Sequence, residues 1–102
     1  MEVVYPRCSG LDVHKRFVVA CLSILEKGQR HKELRQVGTM THEILLLKEW
    51  LKASGCTHIA MESTGVYWKP IFHLLEDSFE IVLVNAQHIK AVPGRKVRRE
   101  VA

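Results

Sequence analysis

The stretch from Thr57 to Val84, THIAMESTGVYWKPIFHLLEDSFEIVLV, decides the fold. Residues 57–62 carry apolar Ile59, Ala60 and Met61 and read as a short strand. Ser63-Thr64-Gly65 is a turn. A helix is expected over 65–76, with Ile71, Phe72, Leu74 and Leu75 apolar. Pro70 belongs in its first turn, where a missing N–H breaks no helical bond. Residues 79–84, FEIVLV, form a second buried strand. Two strands joined through one helix imply a parallel crossover.

Working upstream, a helix is expected after Gly38. Thr39 or Thr41 can cap it, Glu43 suits its dipole, and Gly55 ends it. Leu45, Leu46, Leu47, Trp50 and Leu51 give it a broad apolar face. Before it lie three strands. Residues 3–13 begin apolar, break at Pro6 and resume at Leu11. Residues 16–25, RFVVACLSIL, form a continuous β-branched-rich run that fits a buried central strand. Gly28 turns the chain, and the polar residues 29–37 suit a solvent-facing strand paired to the second. The order β-β-β-α-β-α-β describes a mixed α/β sheet: an antiparallel meander, then parallel crossovers.

The 102 residues bound the chain to one domain and exclude a two-domain enzyme. With 47% hydrophobic and 25% charged residues it reads as globular rather than disordered. Three cysteines, Cys8, Cys21 and Cys56, are an odd number without a CxxC, which argues against a disulfide scaffold and for a reducing, cytoplasmic setting. No apolar run approaches the ~18 residues of a membrane span, so no membrane partner is expected. The formal net charge of +4 is unevenly placed. Residues 1–85 balance ten Lys/Arg against ten Asp/Glu, whereas residues 86–102 hold Lys90, Arg95, Lys96, Arg98 and Arg99 against Glu100 alone. We therefore divide the chain into a core, 1–85, and an incomplete basic C-terminal segment, 86–102. A basic end on a neutral body suits a polyanion, or simply solvent.

Two acids stand out by position. Asp12 ends the first strand and Glu62 ends the fourth. Ligands of parallel α/β sheets gather beyond the carboxyl ends of strands. If the two strands are neighbours, the carboxylates meet, and a divalent cation relieves their repulsion; hard oxygen ligands favour Mg²⁺ or Mn²⁺. Alternatively each acid caps the turn that follows it. His14 and Lys15 leave the first strand beside Asp12 and suit either phosphate contact or a plain hairpin surface. Tyr67 and Trp68 suit stacking on a base, or packing between helix and sheet, the commoner use of aromatics. His31, His42, His58, His73 and His88 lack metal-ligand spacing, and no zinc motif, phosphate-binding glycine loop or GxSxG elbow occurs.

GLDVHK at 10–15, MESTGVYWKP at 61–70 and VNAQHIKAVPGRK at 84–96 together resemble the N-terminal domain of insertion-sequence transposases of family one-hundred-and-ten. These carry an Asp-Glu-Asp-Asp set on a RuvC-like, RNase H-type fold. The resemblance implies a five-stranded sheet in the order 3-2-1-4-5, which sets strands one and four side by side. It also implies Mg²⁺- or Mn²⁺-dependent DNA strand cleavage and transfer. Asp12 and Glu62 match the first two acids, as catalytic and metal residues. His14, Lys15, Lys90, Arg95, Lys96, Arg98 and Arg99 are the expected nucleic-acid contacts, with DNA and a guide RNA of the element as partners.

The sequence departs from the family at the last two acids. Arg98 and Val101 stand where the family has Asp, and Glu100 is one place out of register, which turns a helical side chain by ~100°. The family continues with a helical region and a domain bearing a nucleophilic serine, so the chain reads as a truncated or frame-disrupted transposase domain with weak metal affinity and little activity alone. The alternative is a non-enzymatic nucleic-acid-binding or oligomerisation module. A sugar-kinase or actin-like half-domain is a further reading, resting on a strand-end Asp and Gly10. An exposed sheet edge predicts a homo-oligomer.

Overall fold

Alternation along the strands builds a sheet with one buried and one open face. The computed structural model describes residues 5–84. Strand β1 (Arg7–Val13) buries Ser9, Leu11 and Val13 and turns Gly10 and Asp12 the other way. β2 (Phe17–Glu26) buries Val18, Ala20 and Leu22, and β4 (His58–Ser63) buries Ile59 and Met61. β3 is Gln29–Gly38 and β5 is Glu80–Val84. The sheet has five strands in the order β3-β2-β1-β4-β5. β1–β2 and β2–β3 are antiparallel, and β1–β4 and β4–β5 are parallel. This is the order expected for an RNase H-type sheet, with the meander first and the crossovers after it.

Helix α1 (Thr41–Ala53) and helix α2 (Trp68–Leu75) both pack on the buried face. Ile44, Leu47 and Leu51 enter the core from α1, and Ile71 and Leu75 from α2. They meet Leu11, Val18, Leu22, Ile59 and Met61 in one cluster. Burying each such side chain stabilises the fold by about 1.5–3 kcal/mol relative to exposure. The core is therefore one-sided. β2 was expected to be buried throughout, but only alternate residues are; Val19, Cys21 and Ser23 stay partly exposed on the open face. Both described helices lie on the other side of the sheet, so the continuous apolar run reflects two faces with different surroundings.

Three local expectations change in detail. Neither Thr39 nor Thr41 caps α1. The N-cap is Met40, whose backbone N–H donates to Glu43 Oε1 at 3.3 Å, and Thr39 Oγ1 instead donates to the Lys15 carbonyl at 3.3 Å. Leu45 and Leu46 do not join the core: Leu46 is 67% exposed, because a step of ~100° per residue carries it away from the Ile44–Leu47–Leu51 stripe. The helix of 65–76 is shorter, Trp68–Leu75, with Pro70 in its first turn as expected.

The helix ends are tied down. Gly55 adopts φ 77° just past the C-cap Ser54, a left-handed conformation that favours glycine. Arg7 Nη1 donates to the Ser54 carbonyl at 2.8 Å and its Nη2 reaches Glu26 at 3.1 Å, joining the end of α1 to β1 and β2. Lys48 reaches Asp77 at 2.8 Å and holds that carboxyl below its ordinary range. Arg35 of β3 lies 4.3 Å from the Trp50 ring centroid, bracing the exposed edge strand against α1. No described helix is long and apolar enough to cross a membrane.

Candidate metal and nucleic-acid site

Asp12 and Glu62 are partners in the parallel register of β1 and β4. Both point to the open face, because Leu11, Val13 and Met61 on either side of them point into the core. Both also stand at the carboxyl ends of their strands. They close one end of a trough of about 300 Å³ whose floor is Gly10, Val19, Cys21, Ala60 and Val84. A Cβ at Gly10 would meet nothing within 4 Å, so the floor is open there.

The alternative in which each acid caps its own turn finds no support among the described hydrogen bonds. Asp12 Oδ2 instead lies 3.0 Å from His14 Nε2. The His14 ring stacks on Phe17, with centroids 4.4 Å apart and planes 21° from parallel. The turn itself closes with the His14 N–H donating to the Phe17 carbonyl at 2.9 Å. His14 thus touches Asp12 while its side chain stays 37% exposed. The sequence carried no signal for this contact, which needs the hairpin turn to fold the ring back.

Lys15 and Arg16 extend from the same turn, both exposed and with no acidic partner among the described residues. After Glu62 the chain turns through Gly65 at φ 68° into α2. The packing expected for the following aromatics holds for one of them. Trp68 lies against the core and meets Phe72 edge-on at 5.9 Å, whereas Tyr67 is 40% exposed and Val66 62%. Lys90, Arg95, Lys96, Arg98 and Arg99, with positions 100 and 101, lie outside the described residues.

The donor set suits a hard divalent cation. Two carboxyl-bearing residues stand in register at an accessible end of the sheet, and Mg²⁺ is commonly held by one or two carboxylates with its remaining positions left to water and substrate phosphate. No group of three or more His, Cys, Asp and Glu able to hold a metal ion occurs among the described residues. Cys8, Cys21 and Cys56 are free thiols. Burial pushes the Cys56 thiol up to about 11, helped by the nearby Cys8 and opposed by a backbone hydrogen bond of His58.

The family model of the DEDD transposases of the IS110 type, described as a transposase, matches residues 9–100. The chain belongs to this insertion-sequence transposase family. The family implies divalent-metal use and DNA binding. No curated protein matches the chain. Among solved structures, an exopolyphosphatase from Cytophaga hutchinsonii is similar in fold, with a TM-score of 0.55 at 7% identity over 79% of this chain and 35% of that one. The type II Ppx/GppA phosphatase of Aquifex aeolicus gives a TM-score of 0.52 at 8% identity, covering 80% and 36%. At such identities the likeness is one of fold alone. The transposase-family chain spans about a third of the length of these structures.

Proposed function

We propose that this chain carries part of the catalytic centre of a DNA transposase, and that Asp12 and Glu62 are its catalytic, metal-holding pair. The observation that carries the reading is their register: neighbouring parallel strands present both carboxylates on one face, at the strand ends where ligands of such sheets bind. Mg²⁺ or Mn²⁺, if held by Asp12 and Glu62, would supply Lewis-acid chemistry toward phosphate oxygens. His14 holds the Asp12 carboxylate in place. Lys15 receives DNA phosphate, with His14, Lys90, Arg95, Lys96, Arg98 and Arg99 as further contacts to DNA or to a guide RNA. The protein works in the cytoplasm, and as a homo-oligomer.

Activity by this chain alone is expected to be low. Arg98 and Val101 replace two acids, and a guanidinium in place of a carboxylate opposes cation binding. That substitution also favours a second reading, a nucleic-acid-binding or oligomerisation module that keeps the fold without the chemistry.

The test is a Mn²⁺ titration followed by amide NMR, with Asp12→Asn as control. Broadening centred on Asp12 and Glu62, and lost in the control, supports the metal site. Broadening that is absent or scattered over surface acids sinks it and leaves the binding module. For that module, DNA affinity must weaken with salt at a log-log slope near −3 to −4, about four phosphates' worth; a flat response removes it.

A further inference from the structure

We propose that Tyr67, with Val66 beside it, is a stacking platform for an unpaired nucleotide at the end of the sheet that carries the Asp12–Glu62 pair. This rests on the reading of that pair as the end of the sheet that handles a nucleic-acid phosphate. Val66 and Tyr67 are 62% and 40% exposed, an apolar and an aromatic side chain adjacent in sequence. They follow Glu62 directly through the Ser63–Gly65 turn, so they stand at the same end of the sheet as both carboxylates.

The platform is held firmly. Tyr67 is the N-cap residue of α2, and the next residue, Trp68, packs on the core. The Lys69 N–H donates to the Val66 carbonyl at 3.2 Å, closing the turn. The Tyr67 ring folds back over Gly65, its Cε2 3.8 Å from where a Cβ would stand on that glycine. At the same sheet end, across the β1–β4 pair, the β1–β2 turn carries Lys15 and Arg16, exposed and without acidic partners among the described residues.

Charge and apolar surface together select the occupant. The cations suit a phosphate backbone. An exposed tyrosine beside an aliphatic side chain gains little from phosphates or from the polar edges of paired bases. It gains most from the face of a base, which a paired and stacked duplex hides and a single strand offers. The ligand is therefore single-stranded or locally opened nucleic acid.

The experiment measures binding of the full chain, in EDTA, to a fluorescent single-stranded oligonucleotide and to the same sequence as a duplex. Tyr67→Ala is expected to weaken single-strand binding about tenfold, in line with the loss of one base–aromatic stack. Tyr67→Phe should restore it, and duplex binding should change less than twofold. The salt slope should stay unchanged in Tyr67→Ala but fall by about 1–2 in a Lys15→Ala/Arg16→Ala double variant, which removes phosphate contacts instead. Single-strand affinity unaltered by Tyr67→Ala, or equal losses on both forms, overturns the platform. So does the absence of any single-strand binding. Circular dichroism of each variant checks that the fold is intact. Because binding is read in EDTA and Mn²⁺ broadening is read without oligonucleotide, the platform and the metal site fail separately.

Discussion

Asp12 and Glu62 lie directly opposite one another across the parallel β1–β4 pair, fifty residues apart in sequence and on the same open face of the sheet. Like charges opposite one another on a sheet are destabilising. Asp12→Asn should therefore raise the melting temperature in EDTA, since the neutral amide removes the repulsion and can still meet His14. Added Mg²⁺ should raise the melting temperature of the parent chain and leave Asp12→Asn unmoved, since a ligand stabilises only the state that binds it. Thermal denaturation with and without Mg²⁺ checks both. Equal Mg²⁺ responses in the two proteins would count against the pair as a metal site.

Ser9 is the reverse case, a polar group where the core wants none. Its hydroxyl is buried on the helix-bearing face and has no hydrogen-bond partner among the described residues. Ser9→Ala removes an unsatisfied group at almost no change in volume and should stabilise the fold by about 1 kcal/mol. Urea denaturation reads the result, and a loss of stability would mean that the hydroxyl is partnered in solution.

The α1 stripe makes a sharper comparison. Leu47 is 2% exposed and Leu46 is 67% exposed, although they are neighbours of identical chemistry. Leu47→Ala should cost about 2–5 kcal/mol and Leu46→Ala less than about 0.5 kcal/mol. Comparable losses would show that the helix is rotated from this arrangement.

Gly38 sits where the Glu43 carboxylate occupies the space a Cβ would take. Gly38→Ala should push that side chain off the Met40 N–H and uncap α1, with a loss of about 1 kcal/mol. A second change, Glu43→Ala, should then add little in the Gly38→Ala background, a non-additivity that a double-mutant cycle measures.

Cys56 sets a pH limit. Its thiol is raised from 9.0 to about 11 in the fold, so in that window the folded chain binds more protons than the unfolded one. Stability is therefore complete below pH 9 and declines as pH rises toward 11. Cys56→Ala should flatten that decline. At neutral pH Cys56 should also be alkylated more slowly than Cys8 or Cys21, which are only partly buried. Mass-spectrometric labelling kinetics check the order.

Much of this molecule was legible in its residues. Apolar runs and glycine punctuation located all seven elements, because periodicity and turn chemistry are local properties. The motifs around Asp12 and Glu62 and the stretch 84–96 marked the family, and the two acids were identifiable as strand-end carboxylates. Other features were decided only in three dimensions. Nothing local told which leucines of α1 face the sheet, since six large apolar residues compete for a stripe that the packing of Ile44, Leu47 and Leu51 settles. The Asp12–His14 contact required the turn to bring an imidazole back over the strand it had just left. Tyr67 and Trp68 are consecutive aromatics with the same sequence credentials, yet one packs on the core and the other meets solvent, because a helix start turns successive side chains by ~100°. Local chemistry determined the elements and the residues capable of function; long-range pairing and helix rotation decided which of those residues stand together at one end of one face.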